Sequence, residues 1–149
     1  MRARGFSLVE MVILLAIVGV VIAFSVPVYQ RYVDRSRVLE ATVQLGVLSK
    51  EIKDVERKNG ALPATLAAAG LERADPWGYT FRYFNLQTST GNGNARKDKK
   101  LAPLNSDFDL YSVGKDGASQ ENLGHATSRD DIVRARDGAF VGPAEEFDP

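Results

Sequence analysis

The sequence predicts an α+β fold in which one long N-terminal helix packs on a small β-sheet, and three observations lead to this prediction. Residues 11–28 form an almost unbroken apolar run. Residues 28–58 lack proline and repeat apolar side chains at spacings of three and four, as an amphipathic helix does. Later segments alternate apolar and polar residues, as strands do. With 149 residues, 44% of them hydrophobic, the chain suits one globular domain beside the apolar segment.

The apolar run is long enough to cross a membrane. Its eighteen residues are interrupted only by Gly19, Ser25 and Pro27, and such a helix spans a hydrocarbon layer of about 30 Å. Arg2 and Arg4 precede the run, so we expect the N-terminus in the cytoplasm and the remainder on the other side. Pro27 lacks an amide proton and is expected to kink or locally open the helix.

A carboxylate, Glu10, stands at the start of this apolar run. An acid inside an apolar membrane helix costs about 3 kcal/mol on insertion scales, so Glu10 is expected to have a function and a partner. The alternative is a secretory signal peptide cleaved after the run, near Ala23 and Ser25. That alternative leaves Glu10 unexplained, because the apolar part of a signal peptide gains nothing from an acid.

The second half of the predicted helix carries one apolar stripe, which we interpret as core packing. Asn59-Gly60 supplies a C-terminal stop signal. The stripe consists of Val38, Thr42, Leu45, Leu48, Ile52 and Val55.

The elements after the long helix are short. Residues 60–71 are predicted as a helical connector, and Asp75-Pro76-Trp77-Gly78 as a tight turn that delivers Trp77 to the core. Strands are predicted at residues 79–86 and 108–112, with a third at Phe140 and Val141. Residues 88–105 are polar and rich in Gly, Asn and Lys, so we expect a mobile loop there.

Composition excludes several functions. The chain has no cysteine and one histidine, His125, so it cannot form a disulfide or a zinc site built from several histidines. It also lacks a glycine-rich phosphate loop, and we predict that it is not an enzyme. Removing residues 1–5 takes two arginines from the 19 basic residues, leaving 17 against 19 acidic residues. No nucleic-acid partner is implied.

The tract Arg2-Ala3-Arg4-Gly5-Phe6-Ser7-Leu8-Val9-Glu10, with the apolar run that follows, resembles the class III signal of type IV pilins and pseudopilins. This resemblance implies that a prepilin peptidase cuts between Gly5 and Phe6 and N-methylates Phe6. Residues 1–5 would be the leader, residues 6–28 the membrane and filament-core helix, and residues 29–149 a periplasmic head. Glu10 is expected to pair with the methylated amine of a neighbouring subunit, which would select axial register.

Three further segments are similar to the major pseudopilin of type II secretion systems: Asp75-Pro76-Trp77-Gly78, residues 109–117 and Asp130-Asp131-Ile132. The resemblance implies a small antiparallel sheet and a calcium ion in the C-terminal loop. Calcium takes six to eight oxygen ligands, and acids on a flexible loop can supply several of them. The implied ligands are the side chains of Asp116, Asp130 and Asp131 and the carbonyls of Val113 and Lys115.

A second interpretation of the acidic loop remains open from the sequence. Asp116-Gly117 can be a plain turn and Asp130-Asp131 a cap. Salt bridges from nearby arginines would then satisfy the acidic pair in place of a metal. The candidate arginines are Arg129, Arg134 and Arg136.

The resemblance implies a structural subunit of a type II secretion pseudopilus, which polymerises from the inner membrane to push exported proteins through the outer membrane. Its expected partners are other pseudopilins, an inner-membrane assembly platform, a cytoplasmic ATPase and the prepilin peptidase. The alternative is a type IV pilin forming a surface fibre for adhesion or motility, although many such pilins close their C-terminal region with a disulfide. A third possibility is a membrane-anchored periplasmic binding module that never polymerises, which leaves Glu10 without a counter-charge.

Overall fold

A computed structural model describes residues 7–88 and 94–147 of the chain. Two compact units are present, Met1–Ser36 and Arg37–Pro149. Helix α1, Leu8–Asn59, contributes residues to both units. The predicted long helix is thus confirmed, and it begins and ends within three residues of the predicted bounds.

The described part of the first unit is helical, and its apolar side chains are exposed. The most apolar 18-residue stretch of α1 has a mean hydropathy of 2.9, and none of it is buried within the chain. By length and composition this helix can cross a membrane. Pro27 lies inside the helix and does not end it.

The part of α1 in the second unit buries one face. Its buried residues are Ala41, Leu45, Leu48, Ser49 and Ile52. The centre of the predicted stripe is therefore confirmed, while its outlying members are only half-buried. The helix ends as predicted: Gly60 adopts a φ of +76°, and its amide donates to the Glu56 carbonyl at 2.8 Å.

Within the described residues, four strands form one antiparallel sheet in the order β1-β2-β3-β4. Two 3₁₀ turns, Ala126–Ser128 and Arg136–Gly138, and a short C-terminal helix accompany the sheet. The elements are β1 Arg82–Asn85, β2 Phe108–Ser112, β3 Ile132–Ala135, β4 Phe140–Pro143 and α2 Ala144–Phe147. The predicted α+β class is confirmed, with β3 as an additional strand between the predicted second and third ones.

The sheet separates two apolar clusters, because successive side chains of a strand point to opposite faces. On one face, which we call the helix face, Phe108, Leu110 and Ile132 pack against the buried stripe of α1. On the opposite face, which we call the outer face, Val133 and Ala135 meet a smaller cluster. The other buried members of that cluster are Leu104, Leu123 and Ala144.

Two loop predictions differ from the structure. Residues 60–71 form turns instead of a helix, although Leu62 and Leu66 are buried against α1 as expected. Residues 94–105 are packed on the outer face instead of lying free. The backbone of Lys97 bridges to Pro103 and Asn122. The Arg96 amide donates to Asp109 of β2, which holds this segment against the sheet. The remainder of the predicted mobile loop, residues 89–93, lies outside the described residues.

Candidate functional site

Helix α1 begins with a reciprocal pair of hydrogen bonds. The Ser7 amide donates to Glu10 Oε2 at 2.7 Å, and the Glu10 amide donates to Ser7 Oγ at 3.3 Å. This is a capping box, in which a Ser and a Glu three residues apart satisfy two amides that have no partner within the helix. The Ser-x-x-Glu spacing was the available signal, but our sequence interpretation missed it. The predicted cleavage residues Gly5 and Phe6 lie outside the described residues.

In the acidic C-terminal loop, Asp130 holds a turn. Its Oδ2 accepts hydrogen bonds from the amides of Lys115 at 2.8 Å and Asp116 at 3.1 Å. Gly114 completes the arrangement, with a φ of +65° and no room for a side chain: a Cβ there would lie 2.5 Å from the Asp130 carbonyl oxygen. Asp130 and the loop after β2 are therefore in direct contact.

The carboxylate of Asp116, the second predicted ligand, stays local. It is exposed, and its Oδ1 accepts the amide of Ala118 at 2.8 Å, which is the turn geometry of our alternative interpretation. The predicted turn at Asp75 also docks here. Ser112 Oγ, at the end of β2, donates to Asp75 Oδ2 at 2.5 Å, and the Asp75 Oδ1 accepts the amide of Tyr79 at 2.9 Å.

The third predicted ligand, Asp131, is fully buried and is paired with an arginine. Its Oδ2 accepts hydrogen bonds from Arg96 Nη2 at 2.5 Å and from Ser119 Oγ at 2.6 Å. The Arg96 guanidinium also donates to Ser119 Oγ and lies 4.1 Å from the centroid of the Tyr111 ring. Burial raises the pKa of Asp131 to about 6, although Arg96 and Ser119 favour the charged form.

The three predicted carboxylates, as the structure places them, do not form one ligand set. Among residues 7–88 and 94–147, no group of three or more His, Cys, Asp or Glu side chains could hold a metal ion. Asp131 Oδ1 is buried without a hydrogen-bond partner there, but one such oxygen falls far short of the six to eight that calcium takes. The carbonyls of Val113 and Lys115 stay predicted ligands only. The calcium site remains a prediction from the resemblance.

Of the arginines proposed to brace the acidic pair, Arg134 lies on the helix face of the sheet. It binds Asp107 with two hydrogen bonds, at 2.8 and 2.9 Å, and donates to Ser49 Oγ of α1 at 2.9 Å. Lys53 Nζ also contacts Asp107, at 2.8 Å. Burial alone would raise the pKa of Asp107, but the hydrogen bonds from Arg134 and Lys53 hold it well below its usual range. Arg134 thus joins helix to sheet.

Comparison with known proteins identifies relatives. The chain is 38% identical to fimbrial protein EcpC of Eikenella corrodens over 68 residues, which cover 46% of the chain and 44% of that protein. It is 31% identical to type IV major pilin protein PilE1 of Neisseria gonorrhoeae, with 46% and 60% covered. Fimbrial protein Q of Moraxella bovis is 25% identical, with 93% and 82% covered. The relatives of this chain are type IV pilins and fimbrial proteins.

These relatives support membership of the pilin-like superfamily, and the long helix on a four-stranded antiparallel sheet is a pilin-like fold. The matches to the first two relatives span about half of their length. No family model and no solved structure matches the chain. The pilin relatives do not distinguish a pilus subunit from a secretion pseudopilin.

Proposed function

We propose that the chain is a pilin-type filament subunit, anchored in the inner membrane through the first half of α1 and released from it on polymerisation. The observation that carries the proposal is the fully exposed apolar stretch of α1, which starts beside Glu10. Water is a poor solvent for such a surface, so it needs either lipid or copies of itself around it. The names of the pilin and fimbrial relatives support packing against copies of the same helix in a filament.

Assembly in this proposal follows cleavage between Gly5 and Phe6 by a prepilin peptidase. The new methylated amine of Phe6 pairs with Glu10 of a neighbouring subunit, inside the apolar bundle. A buried pair adds little over apolar packing, but leaving one charge alone costs about 3 to 5 kcal/mol, so the pair selects one axial register. The capping box with Ser7 keeps the Glu10 carboxylate at the helix start, where it is near the new terminus.

Substitutions at the capping box separate two roles of Glu10. Glu10→Gln keeps the capping hydrogen bonds but removes the charge, Glu10→Ala removes both, and Ser7→Ala removes only the reciprocal cap. We expect Gln and Ala at position 10 to abolish filament recovery alike, while Ser7→Ala assembles. Normal assembly of Glu10→Gln would show that capping, and not charge pairing, is what Glu10 contributes.

Two kinds of filament fit this subunit. A type IV pilus, a surface fibre for adhesion or motility, is supported by the names of the relatives. A type II secretion pseudopilus is supported by the absence of cysteine and by the similarity of the acidic loop. Both need an inner-membrane platform and a cytoplasmic ATPase. We place the surface pilus first, because the features for the pseudopilus are residue patterns alone.

Deleting the gene in its native host distinguishes the two. For a pilus subunit, we expect fibres to disappear from the sheared surface fraction while the proteins of the culture supernatant are unchanged. For a pseudopilin, exported proteins would accumulate in the periplasm instead. Loss of neither fibres nor secretion, with the chain remaining monomeric in the membrane, would reject the filament proposal and favour the anchored binding module.

A further inference from the structure

The buried aspartate of the C-terminal loop already has a cation. Asp131 is 0% exposed and Arg96 is 3% exposed, so the pair is shielded from water. The two residues are 35 positions apart in the chain. A charge buried this deeply needs a partner of opposite sign, because desolvating an unpaired carboxylate costs several kcal/mol.

We propose that the Arg96 guanidinium is the resident cation of the C-terminal loop, and that it closes the loop in place of a bound metal or a disulfide. The resemblance to secretion pseudopilins assigns calcium to this loop, but Asp131 Oδ2 is taken by Arg96 and Ser119, and Asp130 Oδ2 by two backbone amides. This inference concerns the fold of the loop and does not depend on filament assembly.

Arg96 joins three segments that are far apart in the sequence. Its backbone amide donates to Asp109 Oδ2 on β2 at 2.7 Å, and its carbonyl accepts the Leu104 amide at 2.9 Å. Its side chain reaches Ser119 and Asp131 beyond β2. One residue therefore fixes residues 94–104, the central strand and the acidic loop to one another, as a cross-link would.

The chemistry of the site suits arginine in particular. The guanidinium donates from Nη1 to Ser119 and from Nη2 to Asp131, while its Cζ atom lies over the Tyr111 ring, 4.1 Å from the centroid. A planar fork makes both bonds and stacks on an aromatic face at once. A lysine ammonium is a point charge and cannot reproduce this arrangement. Asp131 Oδ1 has no hydrogen-bond partner among the described residues, but a calcium ion that used Oδ2 would have to displace Arg96.

The first test needs no substitution. The full-length chain in detergent micelles is heated with excess chelator, and separately with millimolar calcium, while the fluorescence of its one tryptophan, Trp77, reports unfolding of the second unit. We expect the same Tm in both conditions. A Tm that rises with calcium and falls with chelator would overturn the proposal and establish the calcium site implied by the resemblance.

The second test uses Arg96→Ala. Loss of one partner of a buried pair is expected to lower the Tm by about 10 °C or more. The vacated space should accept free guanidinium, so guanidinium chloride well below denaturing concentrations should recover part of the loss in Arg96→Ala and none in the native chain. Urea, which has the same shape without the charge, and sodium chloride are the controls.

Two results of the second test would contradict the proposal. One is an Arg96→Ala chain with the native Tm, and the other is recovery by urea equal to that by guanidinium. Arg96→Lys is a second variant that keeps the charge on a flexible chain. We expect it to fold and to melt between the native chain and Arg96→Ala, and a Tm at or below that of Arg96→Ala would show that the charge has no role. The calcium comparison on the native chain stands even if Arg96→Ala does not fold.

Discussion

The two faces of the sheet each contain a buried arginine, but the two arginines connect different parts of the fold. Each face buries one arginine over an aromatic ring of β2: Arg134 lies 3.9 Å from the Phe108 centroid on the helix face, and Arg96 lies 4.1 Å from the Tyr111 centroid on the outer face. Arg134 ties the sheet to a helix that already packs an apolar stripe against it. Arg96 ties loops to one another.

The difference follows from what covers each face. The helix face has a continuous apolar core, so Arg134 adds orientation to a contact that burial of apolar area already favours. The outer face is covered by irregular segments and by a smaller cluster around Leu104 and Leu123. Because loops bury little apolar area, hydrogen bonds and ion pairs contribute more to holding the loops of the outer face in place. We therefore expect replacement of Arg134 and replacement of Arg96 to have different effects on the fold.

Arg134→Ala should have the largest effect on stability. It leaves Asp107 buried with Lys53 alone and removes the bond to Ser49, so we expect a loss of about 3 to 5 kcal/mol in the free energy of unfolding. Urea titration of the full chain in micelles, followed by Trp77 fluorescence, measures the loss. Arg136→Ala, at an exposed position two residues away, is the matched control and should change stability by less than about 0.5 kcal/mol. Equal effects at positions 134 and 136 would contradict the assignment.

Arg96→Ala should loosen the outer face more than the helix face. Hydrogen exchange measured by mass spectrometry should rise in peptides from residues 94–104 and 113–131, because these segments lose their common tie. Peptides from residues 41–52 of α1 should lose less protection than either of these segments. A uniform rise across both sets would mean that the outer face is not an independently ordered region.

The pH dependence of stability should reflect Asp107. Folding lowers its pKa from an ordinary value of 3.8, so its charged form stabilises the fold above pH 3.8 and this contribution disappears as the pH falls further. We expect the unfolding free energy of the native chain to drop steeply below that pH. Asp107→Asn should be less stable at neutral pH and show a shallower slope in acid. Identical slopes would assign the acid sensitivity to other carboxylates.

The smallest expected effect concerns Tyr83, which is on the helix face and donates to the Pro63 carbonyl at 2.8 Å. Burial and the nearby negative charge of Asp107 raise its pKa to about 12. Its neutral form therefore stabilises the fold below pH 10, and this is lost as the pH rises toward 12. Ultraviolet titration should show one late tyrosine, absent in Tyr83→Phe, which should cost about 1 kcal/mol. If the late tyrosine ionisation is still present in Tyr83→Phe, the assignment is refuted.

The turn at Asp75 was predictable because its signal is local: Asp, Pro and Gly stand at fixed spacings in one short motif. The contact of Asp130 with Lys115 and Asp116 joins residues 15 and 14 positions apart, and only the resemblance brought these residues together. Strand β3 was missed because Arg134 occupies a buried position among its apolar residues, which interrupts the alternation that predicts a strand. Arg96 was missed because it lies in a polar segment, among lysines, with no periodic pattern.

The sequence by itself determined the long helix, its membrane-length apolar half, its stop at Gly60 and the bounds of β2, because neighbouring residues decide helix, strand and turn. Only the tertiary structure decided which arginine meets which aspartate. Arg96 and Asp131 are 35 positions apart, and Arg134 and Asp107 are 27 apart. Such pairs depend on how the strands bring distant segments together, and a list of charges cannot specify that. The cation of the loop is therefore a property of the fold.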